Sequence, residues 1–280
     1  MIIDFHTHIF PPEVCADRER FLGLDETFRE LYSNPKARLA TADDLLQSMA
    51  EAGVDASVAL NFAWQDASLC RRTNDYILEA ASASGGRLIP FCSFVNSSER
   101  EARDEIERCV GLGARGLGEL RPENTGCDLT DGWEGELLAW AARDLKLPLL
   151  LHVTEPVGHA YPGKEGLRLE SMYSFIEKWP KACVVAAHWG GGLPVYALMP
   201  RVQKMISHTY FDTAATHLLY RPEIYRQAAS LVGIERIVFG SDYPYLSQLH
   251  CIQHVQRAPL SEEERRLVLG GNAARLLGLA

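Results

Sequence analysis

His6 and His8 end the run Met1-Ile2-Ile3-Asp4-Phe5-His6-Thr7-His8. On a β-strand alternate side chains share a face, so Asp4 and both imidazoles are expected to point one way, and the histidines can reach one metal ion. Nine histidines in 280 residues make such a pair weak evidence alone. Its weight comes from five further polar residues, each standing where an apolar run gives out. Glu119 follows Gly116-Leu117-Gly118, His152 follows Leu149-Leu150-Leu151, and His188 follows Val184-Val185-Ala186-Ala187. Asp212 follows Tyr210-Phe211, and Asp242 follows Val238-Phe239-Gly240-Ser241. Imidazoles and carboxylates converging without thiolates suit a divalent metal, zinc first, with manganese or iron as alternatives.

Such residues converge only if the elements carrying them are parallel. Short apolar runs rich in β-branched residues recur, each followed by a polar loop and a helix-period segment, the pattern of parallel strands with crossover helices. The expected strands are Ile2–Phe5, Ala56–Asn61, Leu88–Phe94, Gly116–Glu119, Pro148–His152, Cys183–His188, Thr209–Asp212 and Arg236–Gly240. Helices are expected near Ala42–Ala52, Leu69–Ser84, Ser98–Leu112, Gly132–Asp144, Leu169–Trp179, Leu193–Met205 and Pro222–Leu231, then Ser261–Leu269 and Asn272–Leu277. Eight such units predict an α/β chain folded as one (β/α)8 TIM barrel over residues 1–280, with the polar residues at one end. Two long connections, Ile9–Ala40 and Val153–Arg168, are candidate lids or substrate walls.

Composition narrows the partners. A net charge of −9 with no Lys/Arg cluster argues against nucleic acid. The seven cysteines Cys15, Cys70, Cys92, Cys109, Cys127, Cys183 and Cys251 include no Cys-x-x-Cys and read as reduced thiols. The chain starts on a core strand and has no apolar run of membrane-spanning length, so a cytoplasmic protein without a membrane partner is expected. A small-molecule substrate fits this profile, and a homo-oligomer stays open.

His6-Thr7-His8, His152, His188, the run Phe239-Gly240-Ser241-Asp242-Tyr243-Pro244 and the ending Gly270-Gly271-Asn272-Ala273-Ala274-Arg275-Leu276-Leu277 together resemble the amidohydrolase superfamily, in particular its amidohydrolase-related branch. The resemblance spans the chain in order. It implies a barrel in which His6, His8 and His152 bind a metal, Asp242 is a ligand or general base, and His188 is its catalytic partner or a ligand of a second metal. Two-metal relatives bridge their ions with a carboxylate on the fourth strand. Here that strand has no lysine and ends in Glu119, so Glu119 is a candidate ligand and the count is one ion or two.

The expected chemistry is hydrolysis of a C–O or C–N bond in a lactone, amide or ester. A metal lowers the pKa of bound water to about 7. Asp242 would take the water proton and pass it to the leaving group, while His188 would hydrogen-bond the water or the developing oxyanion. The alternative on the same barrel is non-oxidative decarboxylation of an aromatic or unsaturated carboxylic acid; a non-catalytic binding barrel is the third reading. Arg121 can hold a substrate carboxylate or neutralise Glu119. Tyr161, with His159 and Lys164, can line the pocket or sit in an ordinary loop. Trp64 and Trp189 can form its walls or simply pack. Asp212 is expected to be structural, accepting hydrogen bonds from residues 213–216. His208, His217, His250 and His254 read as surface or loop residues.

Overall fold

The apolar runs become eight parallel strands in a computed structural model that describes residues 1–122, 128–164 and 167–279; Cys127 lies outside them. They are β1 (Ile3–His8), β2 (Ala56–Leu60), β3 (Leu88–Cys92), β4 (Gly116–Leu120), β5 (Leu149–Leu151), β6 (Val184–Ala186), β7 (Tyr210–Asp212) and β8 (Ile237–Val238), hydrogen-bonded in chain order. Residues just beyond β8 bring the sheet back to β1: Phe5 N donates to Phe239 O at 2.7 Å, His8 N to Tyr243 O at 2.6 Å, and Asp242 N to His6 O at 3.0 Å. The expected (β/α)8 barrel is therefore the observed fold.

The expected helices form with small shifts at their ends. Three short helices, α1 (Pro12–Ala16), α2 (Arg18–Leu22) and α3 (Glu26–Tyr32), occupy the long connection after β1. Next come α4 (Ala42–Ala52), α5 (Ala67–Ala83), α6 (Glu99–Gly111), α7 (Trp133–Asp144), α8 (Leu169–Lys178) and α9 (Pro200–Met205). The last are α10 (Thr216–Leu219), α11 (Ile224–Val232), α12 (Gln248–Arg257), α13 (Glu262–Arg266) and α14 (Asn272–Leu276). Thr41 and Ser261 start α4 and α13 with reciprocal capping boxes to Asp44 and Glu264. The helix expected over Leu193–Met205 forms in two parts, a 3-10 stretch over residues 193–198 and α9, divided at Met199, whose ψ of 115° is extended. Helix α12 was not expected from the sequence.

Alternate strand residues divide two apolar layers. Phe5, Val58, Phe91, Leu150, Val185 and Val238 pack together and against Ala273, Ala274 and Leu277 from the chain's end. Ala59, Leu117, Leu149, Leu151, Val184 and Ala186 join the larger core with Leu45, Leu137 and Phe175 of the helices. A third cluster, Phe10, Phe21, Phe28, Phe62 and Trp64, anchors α1 to α3 beside the barrel mouth. Among the described residues no helix is long and apolar enough to cross a membrane, and Cys15, Cys70, Cys92, Cys109, Cys183 and Cys251 are free thiols.

Two register shifts aim the site. Between Asp4 and Thr7, β1 carries one more residue than its partner β2. Such a bulge breaks the strict alternation of faces. Phe5 stays in the inner apolar layer, while His6 turns to Asp212 and His8. Asp4 therefore does not join the histidines as expected: it accepts from Ser241 Oγ at 2.6 Å and Gln248 Nε2 at 2.8 Å. The second shift lies between Leu117 and Leu120 of β4 and sends Glu119 inward. Gly118 permits it, having a φ of +142° and no room for a Cβ, which would fall 2.6 Å from the Leu150 carbonyl oxygen.

Candidate metal centre

Each contributing strand delivers its polar group to the same mouth. His6 and His8 face each other through Nε2 atoms 3.0 Å apart. Asp242 Oδ1 lies 3.4 Å from His8 Nε2 and 3.7 Å from His6 Nε2. Glu119 sits in the middle, with Oε1 at 2.7 Å from His152 Nδ1, 3.5 Å from His188 Nε2 and 3.6 Å from His6 Nε2. Among the described residues two triads can hold a metal ion, His6 with His8 and Glu119, and Glu119 with His152 and His188; their ligand atoms lie within 4.8 Å of one another. All five are buried. The six strand-end and β1 residues chosen from the sequence as ligands or catalysts thus come together.

The backbone holds them tightly. His188 and Asp242 both adopt left-handed φ, +54° and +65°. Such residues cost about 1–3 kcal/mol each and persist where surrounding structure over-determines them, as at functional sites. Asp242 follows Ser241, whose N–H and hydroxyl are both held by Asp4. Burial pushes the Asp4 carboxyl up to about 6, against the pull of those hydrogen bonds. Gly240 lets this segment pass close to His6, since a Cβ there would lie 2.9 Å from the His6 Cβ.

Asp212 has the structural role expected of it and a second role toward the histidines. Its carboxylate accepts from Ala214 N at 3.0 Å, as a structural residue would. It also accepts from His188 N at 2.8 Å and holds His6 Nδ1 at 2.7 Å. It therefore orients one ring and anchors the backbone of another. The signal was available, because Asp212 stands where an apolar run gives out, just as Glu119 and Asp242 do.

Charges in the cluster are mutually dependent. Burial disfavours a charged His6, but Glu119 and Asp212 outweigh it and raise its pKa well above the ordinary value. The same contest, with Glu119 and Asp242, holds His188 at about 9. For Glu119 and Asp242 burial opposes ionisation, yet the neighbouring histidines keep both carboxyls well below their usual range. Burial dominates at His152, lowering its pKa. Protons here occupy places that a cation can take.

A cavity of about 500 Å³ opens onto the cluster. His8, Glu119, His152, His188 and Asp242 form its polar end, and Leu31, Tyr32, Leu218, Leu219 and Tyr245 supply apolar wall. Arg121 lines it while donating to the Gly163 carbonyl at 3.0 Å and lying 3.8 Å from Glu30. Tyr161 and His159 also line it, and the Tyr161 hydroxyl donates to Glu155 at 2.9 Å. Lys164 instead braces its own loop through the Val157 and His159 carbonyls. Trp64 and Trp189 are packing residues: Trp64 stacks on Phe28, and Trp189 donates to Thr216 Oγ1 at 2.9 Å. His217 of α10 packs its ring against those of His250 and His254 of α12.

A (β/α)8 barrel that gathers imidazoles and carboxylates at its strand ends has the architecture of a metal-centred barrel enzyme. The chain belongs to the amidohydrolase family, whose model matches residues 3–279. It is 23% identical over 250 residues to the gamma-resorcylate decarboxylase of Polaromonas sp. (strain JS666), a match covering 75% of this chain and 76% of that protein. Its fold is similar to that of 5-carboxyvanillate decarboxylase from Sphingomonas paucimobilis, with a TM-score of 0.80 at 18% identity over 99% of this chain and 98% of the other. It is also similar to dihydroxybenzoic acid decarboxylase from Polaromonas sp. JS666 with bound manganese and the inhibitor 2-nitroresorcinol, with a TM-score of 0.72 at 20% identity over 99% and 97% of the two chains. The expectation of a hydrolase is corrected by these relatives, which break a carbon–carbon bond. The ligand types alone did not distinguish the two chemistries, because both need the same cation-binding mouth.

Proposed function

We propose that this protein is a metal-dependent, non-oxidative decarboxylase of a hydroxyaryl carboxylic acid. The observation that carries the reading is the cavity, whose polar end suits adjacent carboxylate and hydroxyl oxygens and whose apolar walls suit an aromatic ring. The decarboxylase relatives support it. His6, His8, Glu119 and Asp242 would hold the ion. The donor set fits one: His6 Nδ1 is committed to Asp212, which leaves Nε2, facing that of His8, as the nitrogen for the ion, and His8 Nδ1 has no partner of its own. Zinc is compatible with these donors, but manganese, bound in the Polaromonas enzyme, is the ion to test first.

When bound, the metal supplies positive charge against the substrate's oxygens. Asp242 handles the proton. Its side chain, 18% exposed, is the most open of the cluster and lines the cavity. It takes the proton of a hydroxyl ortho to the substrate carboxylate. The resulting phenolate raises electron density on the carboxylate-bearing ring carbon, which receives that proton from Asp242. The bond to the carboxylate then breaks, its electron pair restores the aromatic ring, and CO2 leaves. Arg121 supplies a fixed positive charge at the cavity wall, and Tyr161 borders the ring. His188 and His152 complete the polar end.

The test is CO2 release from the manganese-loaded protein given 2-hydroxybenzoate, 2,6-dihydroxybenzoate and 5-carboxyvanillate, with phenolic products followed by chromatography. Release from at least one acid, abolished by chelation and restored by manganese, is expected; no release from any hydroxyaryl acid by the loaded protein would sink the reading.

Metal uptake should also release protons. A ligand nitrogen must be bare, and Glu119 and Asp212 keep His6 protonated at neutral pH in the metal-free site, although burial opposes it. Affinity is therefore expected to rise with pH and fall as pH drops. Titration calorimetry near pH 7 in two buffers of different protonation heat should detect at least one proton released per metal bound. Equal heats in both buffers would contradict it.

A further inference from the structure

We propose that His217, His250 and His254 form a cation site outside the barrel mouth, which takes a zinc- or copper-class ion and fastens α10 to α12.

His250 and His254 stand four residues apart on α12. That spacing puts both rings on one face of the helix, as in paired histidines that share an ion. His217 of α10 packs against both, with its ring centroid 4.6 Å from that of His250 and 6.1 Å from that of His254. These spacings bracket those of the ring pairs at the mouth, 5.0 Å for His6 and His8, 5.4 Å for His6 and His188, and 4.9 Å for His152 and His188. The donor atoms are gathered less closely than in the mouth triads. His250 is exposed and His217 partly so, which leaves their rings free to turn onto an ion.

The lone pairs are ready for one. Burial, with repulsion from His250 and His254, lowers the His217 pKa, and burial, with His250 and Arg257, lowers that of His254. Both rings are therefore neutral at pH 7, and a neutral imidazole offers one bare nitrogen. His254 Nδ1 is buried without a hydrogen-bond partner, a polar atom that a bound ion would satisfy. Donors that are imidazoles alone suit zinc or copper, whereas manganese favours carboxylate and water oxygens.

Helix α12 is the fixed side of the site. Its Gln248, Cys251, Ile252 and Val255 are buried, and Gln248 Nε2 donates to Asp4 at 2.8 Å. Helix α10 is only four residues long, with Thr216 its buried residue, and its Leu218 and Leu219 line the substrate cavity. An ion held from both helices pins that wall of the cavity to α12.

The experiment adds Zn²⁺ to the manganese-loaded full chain and counts both metals by elemental analysis after gel filtration. The protein is expected to hold one zinc ion per chain more than the manganese displaced. Hydrogen exchange followed by mass spectrometry should slow at residues 216–220 when zinc is bound. His250→Ala, at an exposed position, and His217→Ala should each lose the extra zinc and the added protection while keeping the metal of the mouth. Zinc taken up only in exchange for manganese, or held equally by both variants, overturns the proposal. Extra zinc that leaves exchange at residues 216–220 unchanged overturns it too, since the ion then fastens nothing. None of these readouts uses turnover, so the decarboxylase reading and this site stand or fall separately.

Discussion

Asp242→Asn is expected to lower kcat for decarboxylation by about 10²–10⁴-fold, the range that a positioned acid–base group contributes, while the protein keeps part of its metal. The asparagine retains a carbonyl oxygen in the place of Oδ1, which faces His8 and His6. It loses the ability to take a proton from the substrate hydroxyl and return it to the ring carbon. Backbone strain does not confuse the result, because asparagine tolerates the left-handed conformation at this position as well as aspartate does. The discriminating readout is kcat against KM on manganese-loaded protein of measured metal content. A loss confined to KM, or turnover within about 10-fold of wild type, would remove Asp242 from the proton path.

Much of this site was legible because barrel geometry turns one-dimensional position into a shared location. A polar residue at the C-terminal end of a buried parallel strand has few places to point, and Glu119, His152, His188 and Asp242 all obeyed that constraint. What escaped notice depended on register. The expectation that Asp4 shares a face with His6 assumed an unbroken alternation, and the bulge in β1 cancels it. Helix α12 went unseen because its apolar positions are sparse: Cys251, Ile252 and Val255 are its buried apolar residues, and Gln248 is spent on Asp4. The helices after β1 hid in a segment whose aromatic residues pack against one another, so their spacing carries no clean helical period. The bond broken by the enzyme was the least legible feature. Imidazoles and carboxylates report a cation and a proton carrier, and both hydrolysis and decarboxylation use them.

Asp212→Asn should weaken metal binding about 10–100-fold, the usual cost of removing a hydrogen-bond partner behind a ligating histidine. The aspartate does two jobs at once with two oxygens: Oδ2 holds His6 Nδ1, and Oδ1 accepts from the N–H groups of His188 and Ala214. Asparagine has one acceptor and one donor at those places. If its oxygen serves the two N–H groups, its amide faces His6 Nδ1 and forces the ring proton onto Nε2, the nitrogen that should bind the ion. If it flips, His6 keeps its tautomer, but two buried N–H groups meet a donor, at a cost of about 1–3 kcal/mol for each group left unsatisfied. Either orientation does damage, and they differ in what suffers. The first weakens the metal with little change in apoprotein stability, whereas the second lowers the apoprotein melting temperature and disturbs the turn carrying His188. Manganese titration and thermal unfolding of the same metal-free sample distinguish them. Wild-type affinity together with wild-type stability would return Asp212 to the loop-bracing role its sequence position first suggested.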